Sequence, residues 1–234
     1  MTDDRKSGLA FLAGSLGGMV TMAIHPTGGG AMTPDQIERL GTMSAIAHSL
    51  AMVSFLVLFL GAMGLTRRLA SREAPIEPDR LALAALVVYA FAAVALLIAT
   101  AVSGFIVPAI MQHMARDVAA NGPQWHIAIE STFQFNQAFA RIYSVAASVA
   151  VVLWSASALR NGGLNRGIAI YGCVVPVALI VLIGVGHLRL NVHGMAIVVF
   201  AHALWFVLAG IQLLREEPVT SQNRDLGHPM PEAD

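Results

Sequence analysis

Charge is what this sequence has least of. Only 12% of its 234 residues are charged and 56% are hydrophobic, whereas soluble domains ordinarily carry about 25% charge. A chain wrapped around one aqueous core needs charged side chains over its surface, and 14 basic plus 14 acidic residues are too few to supply them. With a mean hydropathy of +0.69, lipid is the solvent expected for most of that surface. Cysteine is nearly absent as well. The lone Cys173 sits in an apolar run, which excludes a disulfide framework and a thiolate metal cluster. Aromatic residues make up 7%, no basic cluster alternates with them, and the net charge is zero. Nucleic acid is therefore not an expected partner; the lipid bilayer is.

Period-two alternation is missing too, and the apolar runs exceed the roughly 9 to 11 residues of a membrane barrel strand. The fold class expected is all-α: a polytopic integral membrane protein with six transmembrane helices in one bundle. A hydrocarbon core about 30 Å thick takes about 20 helical residues. The stretches 8–24, 43–65, 81–107, 138–159, 167–186 and 193–214 approach or exceed that length. They make one transmembrane domain over 1–215, followed by a polar tail, 216–234, whose Pro218, Pro229 and Pro231 fit disorder. Arg5 and Lys6 ahead of the first span would also suit a secretory signal, but no clear small-x-small site closes it at 23–25, so the span is expected to be retained.

The basic residues orient the bundle, because cytoplasmic loops retain Lys and Arg. One side receives Arg5, Lys6, Arg67, Arg68, Arg72, Arg80, Arg160, Arg166, Arg215 and Arg224, and the other only Arg39, Arg116, Arg141 and Arg189. Both termini are thus expected in the cytoplasm of a bacterial-type cell, with 26–42, 108–137 and 187–192 outside the inner membrane. Small residues Gly14, Gly17 and Gly18 allow close helix approach in span one. Pro176 in span five frees the carbonyl of Gly172, which predicts a kink.

No motif names a reaction. There is no H-E-x-x-H and no His pair at i, i+4. No carboxylate lies deep in a span, which speaks against a cation-coupled or proton-coupled transporter. What the sequence does offer is a lopsided set of histidines. His25, His48, His113, His126, His187, His193 and His202 fall in the outer half, and only His228 lies in the tail. Counted from basic residues at the cytoplasmic boundary, Lys6 to His25 and Arg67 to His48 are each 19 residues, Arg166 to His187 is 21 and Arg215 to His193 is 22. At 1.5 Å per residue these four share a level to within about 5 Å, so His25, His48, His187 and His193 are candidate metal or haem ligands. The competing reading is that every outer helix end falls near that level and His is acceptable there.

A second signal enters span four. Pro123 after Asn121 and Gly122 makes a helix start, and His126, Glu130, Gln134, Gln137 and Arg141 follow at spacings of 4, 4, 3 and 4, continued by Ser144, Ser148 and Ser155. That is one helical face. A guanidinium directed at hydrocarbon is costly, so the face is expected to line the bundle or an external cavity and bind a small ligand, unless Arg141 snorkels to the headgroups. Met22, Met32, Met43, Met111, Met114 and Met195 are also on the outer side, and thioethers with imidazoles suit copper.

The functional expectation is an outward-facing, His-lined pocket for a small ligand, metal or cofactor. A membrane redox or metal-dependent enzyme using haem b or a copper or zinc ion on the same histidines is the alternative, and a scaffold without cofactor the third. For haem, His48 and His202 differ by about 9 Å in depth, which suits bis-His ligation poorly; His48 with His25 or His187 matches better.

Overall fold

Local signals set the helix starts. Thr33 accepts from the Gln36 amide while the Gln36 side chain accepts from Thr33 N–H, and Pro34 occupies the first turn. This reciprocal cap satisfies two otherwise orphaned donors. Asp79 caps the third helix through Leu81 N–H, and Asn165 the sixth through Gly167 N–H. The computed structural model describes residues 2–26, 32–71, 79–116 and 122–215. Their regular elements are all helical: α1 (Asp3–Ile24), α2 (Pro34–Ala70), α3 (Arg80–Ala101), a π-helical turn (Val102–Ile106), α4 (Val107–Arg116), α5 (Gly122–Asn161), α6 (Arg166–Gly184) and α7 (Val192–Arg215). Because α3, the π turn and α4 run on without a break, six helical rods are long and apolar enough to cross a membrane. The tail 216–234 lies outside the described residues.

The rods are unequal. α2 has 37 residues and α5 has 40, about 55 and 60 Å, and the α3–α4 rod spans Arg80–Arg116. α1, α6 and α7 have 22, 19 and 24. Much of 26–42 and the stretch up to Arg116, read from sequence as connecting segments, is therefore helix, while α5 begins at Gly122, beside the helix start expected at Pro123. Capping at Thr33 and continuation through the π turn extend these rods past the apolar stretch that defined each span.

One end of the bundle is tied by polar contacts. Arg68 Nη1 on α2 meets Asp4 Oδ2 on α1 at 2.7 Å. The buried Asp79 carboxylate accepts from Ser157 Oγ and, at 3.1 Å, from Asn161 Nδ2 of α5. Asn165 N–H donates to Gln212 Oε1 of α7 at 2.7 Å. Arg5, Lys6, Arg67, Arg68, Arg80, Arg160, Arg166 and Arg215 all lie at the helix ends on this side, so the basic residues do collect at one end of the bundle.

α1 packs against both α2 and α7. The small-residue face read from sequence is used for this: a Cβ on Gly14 would lie 2.7 Å from the Ser54 carbonyl, so α1 and α2 touch through backbone there. An aromatic core joins α2, α3 and α5: Tyr89 stacks on Phe55 and meets Trp154 edge on. Large apolar side chains such as Phe91, Leu60, Val174 and Val185 point outward, the arrangement of a bundle with an apolar exterior. α6 continues through Pro176 without a break.

Candidate functional site

Opposite the basic end, where α1 stops short of α2 and α5, the helices enclose a cavity of about 490 Å³. Its walls are mainly apolar, with Phe55, Tyr143 and Phe206 among them. Three histidines reach it: His25 at the end of α1, His48 on α2 and His202 on α7.

His48 is positioned from two sides. Its Nδ1 lies 2.7 Å from the Ser44 carbonyl one turn earlier and 3.3 Å from Ser44 Oγ. The Ser44 hydroxyl itself donates to Ser103 O in the π turn at 3.0 Å. Gly104 in the same turn packs against the His48 side chain; a Cβ there would be 2.6 Å from His48 Cβ. The extra residue of a π turn, a device that recurs at functional sites, thus wraps the imidazole. A neutral His whose Nδ1 faces a carbonyl carries its proton on Nδ1 and leaves a lone pair on Nε2. His25 repeats the arrangement: its Nδ1 is 3.1 Å from Pro26 O. The two rings meet edge to face with centroids 5.0 Å apart, so both imidazoles sit together at the outer end of the cavity.

His202 is deeper. Its Nε2 pairs with Ser148 Oγ of α5 at 3.0 Å, and its Nδ1 has no hydrogen-bond partner among the described residues although the atom is buried. A serine beside a histidine resembles a nucleophile and its base, but Ser148 is fully buried and is not part of the cavity wall. The contact is an interhelical hydrogen bond. Ser15 Oγ on α1 and Asn136 Oδ1 on α5, also on the wall, are buried without partners too.

The remaining candidates separate. His187 and His193 are exposed and do not line the cavity, so the level shared by four histidines is not a ring: His25 and His48 meet and the other two do not join them. Along α5, His126, Glu130 and Gln134 are exposed, with Gln134 Nε2 donating to Glu130 Oε1 at 2.7 Å. Gln137 reaches the cavity wall and donates to Leu190 O at 3.2 Å. Arg141 is exposed outside the cavity, whereas Ser144, Ser148 and Ser155 are fully buried. The stripe is therefore divided: a 3.6-residue period drifts against these spacings, and Arg141 falls just past the edge of the buried face. Met22, Met32, Met111 and Met195 line the cavity; Met43 and Met114 do not.

The donor set narrows what can be held. Among the described residues no three His, Cys, Asp or Glu side chains gather for a metal ion, which leaves zinc without its usual tetrahedral set. Bis-His haem needs two rings on opposite faces of a porphyrin, about 6 Å apart across the iron; rings in direct edge-to-face contact leave no room for it. Ser44, Ser15, Asn136 and the π turn were not singled out from sequence. The Ser44-x3-His48 spacing was the available signal, since a carbonyl one turn back from a histidine is within reach of Nδ1. No protein-family model, curated protein or solved structure matches this chain.

Proposed function

We propose that the chain is a multi-pass protein of a bacterial-type cytoplasmic membrane, with both termini in the cytoplasm, that binds a small organic molecule in a cavity opening toward the outer side. The orientation rests on the collection of basic residues at one end of the bundle. The site rests on one observation: His25 and His48 meet at the cavity with both Nδ1 atoms turned to backbone carbonyls. Each Nε2 is then a fixed acceptor on a mostly apolar wall, and Gln137 lies on the same wall. A volume of about 490 Å³ falls in the range of organic-ligand pockets, which combine apolar walls with a few placed polar groups.

Native mass spectrometry of the full chain released from nanodiscs, with the lipid extract analysed alongside, tests this reading. The expected result is a bound non-lipid mass that is lost in His25→Ala and in His48→Ala. A wild-type chain carrying lipid alone, and taking up no small molecule from a membrane extract of its source cells, refutes it.

A further inference from the structure

The cavity is far longer than it is wide. A sphere of about 490 Å³ is about 10 Å across, whereas its wall on α2 runs from Leu40 to Leu58, which is about 27 Å of helix. His48 stands partway down this shaft, about 12 Å below Leu40 and about 15 Å above Leu58. Polarity changes at that level. Asn136, Gln137 and Asn191 are on the wall nearer the mouth. Thr21, Ser54 and Thr100 are on the deeper wall, but their hydroxyls donate to the Gly17, Leu50 and Leu96 carbonyls of their own helices at 2.9, 2.7 and 2.8 Å. Ser15 Oγ and His202 Nδ1 are occluded, and His202 Nε2 is paired with Ser148. The deep shaft thus presents mainly carbon, with Phe55, Leu58 and Phe206 on it. No Lys, Arg, Asp or Glu among the described residues lines any part of the cavity.

We infer that the occupant is a straight-chain aliphatic alcohol, with its hydroxyl at the histidine pair and its chain filling the shaft down to Leu58. This rests on the reading of the cavity as a ligand site and deepens it by naming the ligand class. Depth sets the chain: an extended alkyl chain advances about 1.3 Å per carbon, so about 15 Å takes about 12 carbons. The wall sets the head. A carboxylate or ammonium held at the histidines would lie about 12 Å inside the mouth without a counter-charge, and burying a charge in that way is costly. His48 Nδ1 lies 2.7 Å from the Ser44 carbonyl, which cannot donate, so in the neutral ring the other nitrogen is the acceptor. A hydroxyl satisfies it and an ether or ester oxygen does not. Bilayer lipids, with two chains and charged heads, suit neither the narrow shaft nor its uncharged wall.

The test loads the full chain in nanodiscs with one straight-chain compound at a time, at equal concentration in the bilayer, and counts the protein-bound molecules by native mass spectrometry. 1-Dodecanol is expected to occupy the chain as a single molecule, a mass distinct from every lipid of the disc. It should bind about tenfold or more tighter than dodecane, dodecanoate or dodecylammonium, the effect of one hydrogen bond to a buried partner or of one unpaired charge. 1-Hexanol, which leaves the shaft half empty, and 1-octadecanol, which overruns it, should also bind more weakly. His48→Ala should lower 1-dodecanol to the level of dodecane. Ala203→Leu, which fills part of the deep wall, should move the preference to shorter alcohols. Should either variant fail to fold, the length and head series on the wild-type chain carry the test. Equal occupancy across the three alcohols, or dodecanoate binding as well as 1-dodecanol, overturns the inference. Failure of every alcohol to bind, while the preceding measurement still finds a His48-dependent mass, overturns the alcohol and leaves the cavity reading standing. Failure of both measurements removes both.

Discussion

Gly104 has no side chain where His48 needs the room: a Cβ at that position would sit 2.6 Å from His48 Cβ and 2.9 Å from Cγ. The π turn carries this glycine over the imidazole while Ser103, beside it, accepts the Ser44 hydroxyl. Gly104→Ala therefore drives a methyl group into a ring already fixed through Nδ1. The expected loss is about 1 to 3 kcal/mol of stability, read as a lower thermal midpoint in detergent, together with loss of the bound mass that His48 supports. An unchanged midpoint with full occupancy would show that the π turn does not set the ring.

How much of this was legible beforehand differs by element. The six apolar rods follow from run length, because hydrocarbon demands about 20 helical residues whatever the contacts. The extended rods were less visible, although Thr33-Pro34-Asp35-Gln36 spells the cap that starts α2 early. Counting residues from the basic end put His25 and His48 at one level, and their rings do touch. The same count put His187 and His193 at that level, where they stand exposed. Depth is a property of one helix, whereas facing depends on how each helix is rotated against its neighbours. The deeper placement of His202 was also legible. That it meets Ser148 was not, since this depends on how α7 is turned against α5.

Asp79 is buried at the tied end of the bundle, capping α3 through one oxygen and accepting from Ser157 and Asn161 through the other. Asp79→Ala removes a helix cap and two hydrogen bonds to a charged acceptor at once. A destabilisation of about 2 to 4 kcal/mol is expected, measured by denaturant-dependent unfolding in mixed micelles. The cavity lies at the other end, so the surviving folded fraction should still carry its ligand.

Orientation has its own test. Reporter fusions after Arg72 and Arg224 should both report cytoplasm, and a fusion at Asn121 should report the outer side, because ten of the 14 basic residues were assigned to the first side. A cytoplasmic signal at Asn121 would invert the bundle and turn the cavity mouth inward.

Arg141 separates packing from binding. It follows Gln137, which lies on the cavity wall, by one helical turn, and it precedes the fully buried Ser144 by three residues; yet it is itself exposed outside the cavity. Twenty residues separate position 141 from Asn161 at the basic end, about 30 Å of helix, so in the proposed membrane placement its guanidinium falls near the far boundary of the bilayer, where a long side chain reaches the headgroups. Arg141→Leu should then leave ligand affinity within about twofold of wild type, as for sites that share no partners. Arg141→Glu should lower insertion yield more than Arg141→Leu, since an acidic group at the same depth loses the attraction of a cation for anionic lipid. A loss of ligand binding of tenfold or more in a correctly folded Arg141→Leu chain would mean that the guanidinium turns into the cavity when a ligand is present, and the exposed position would then describe only the ligand-free arrangement.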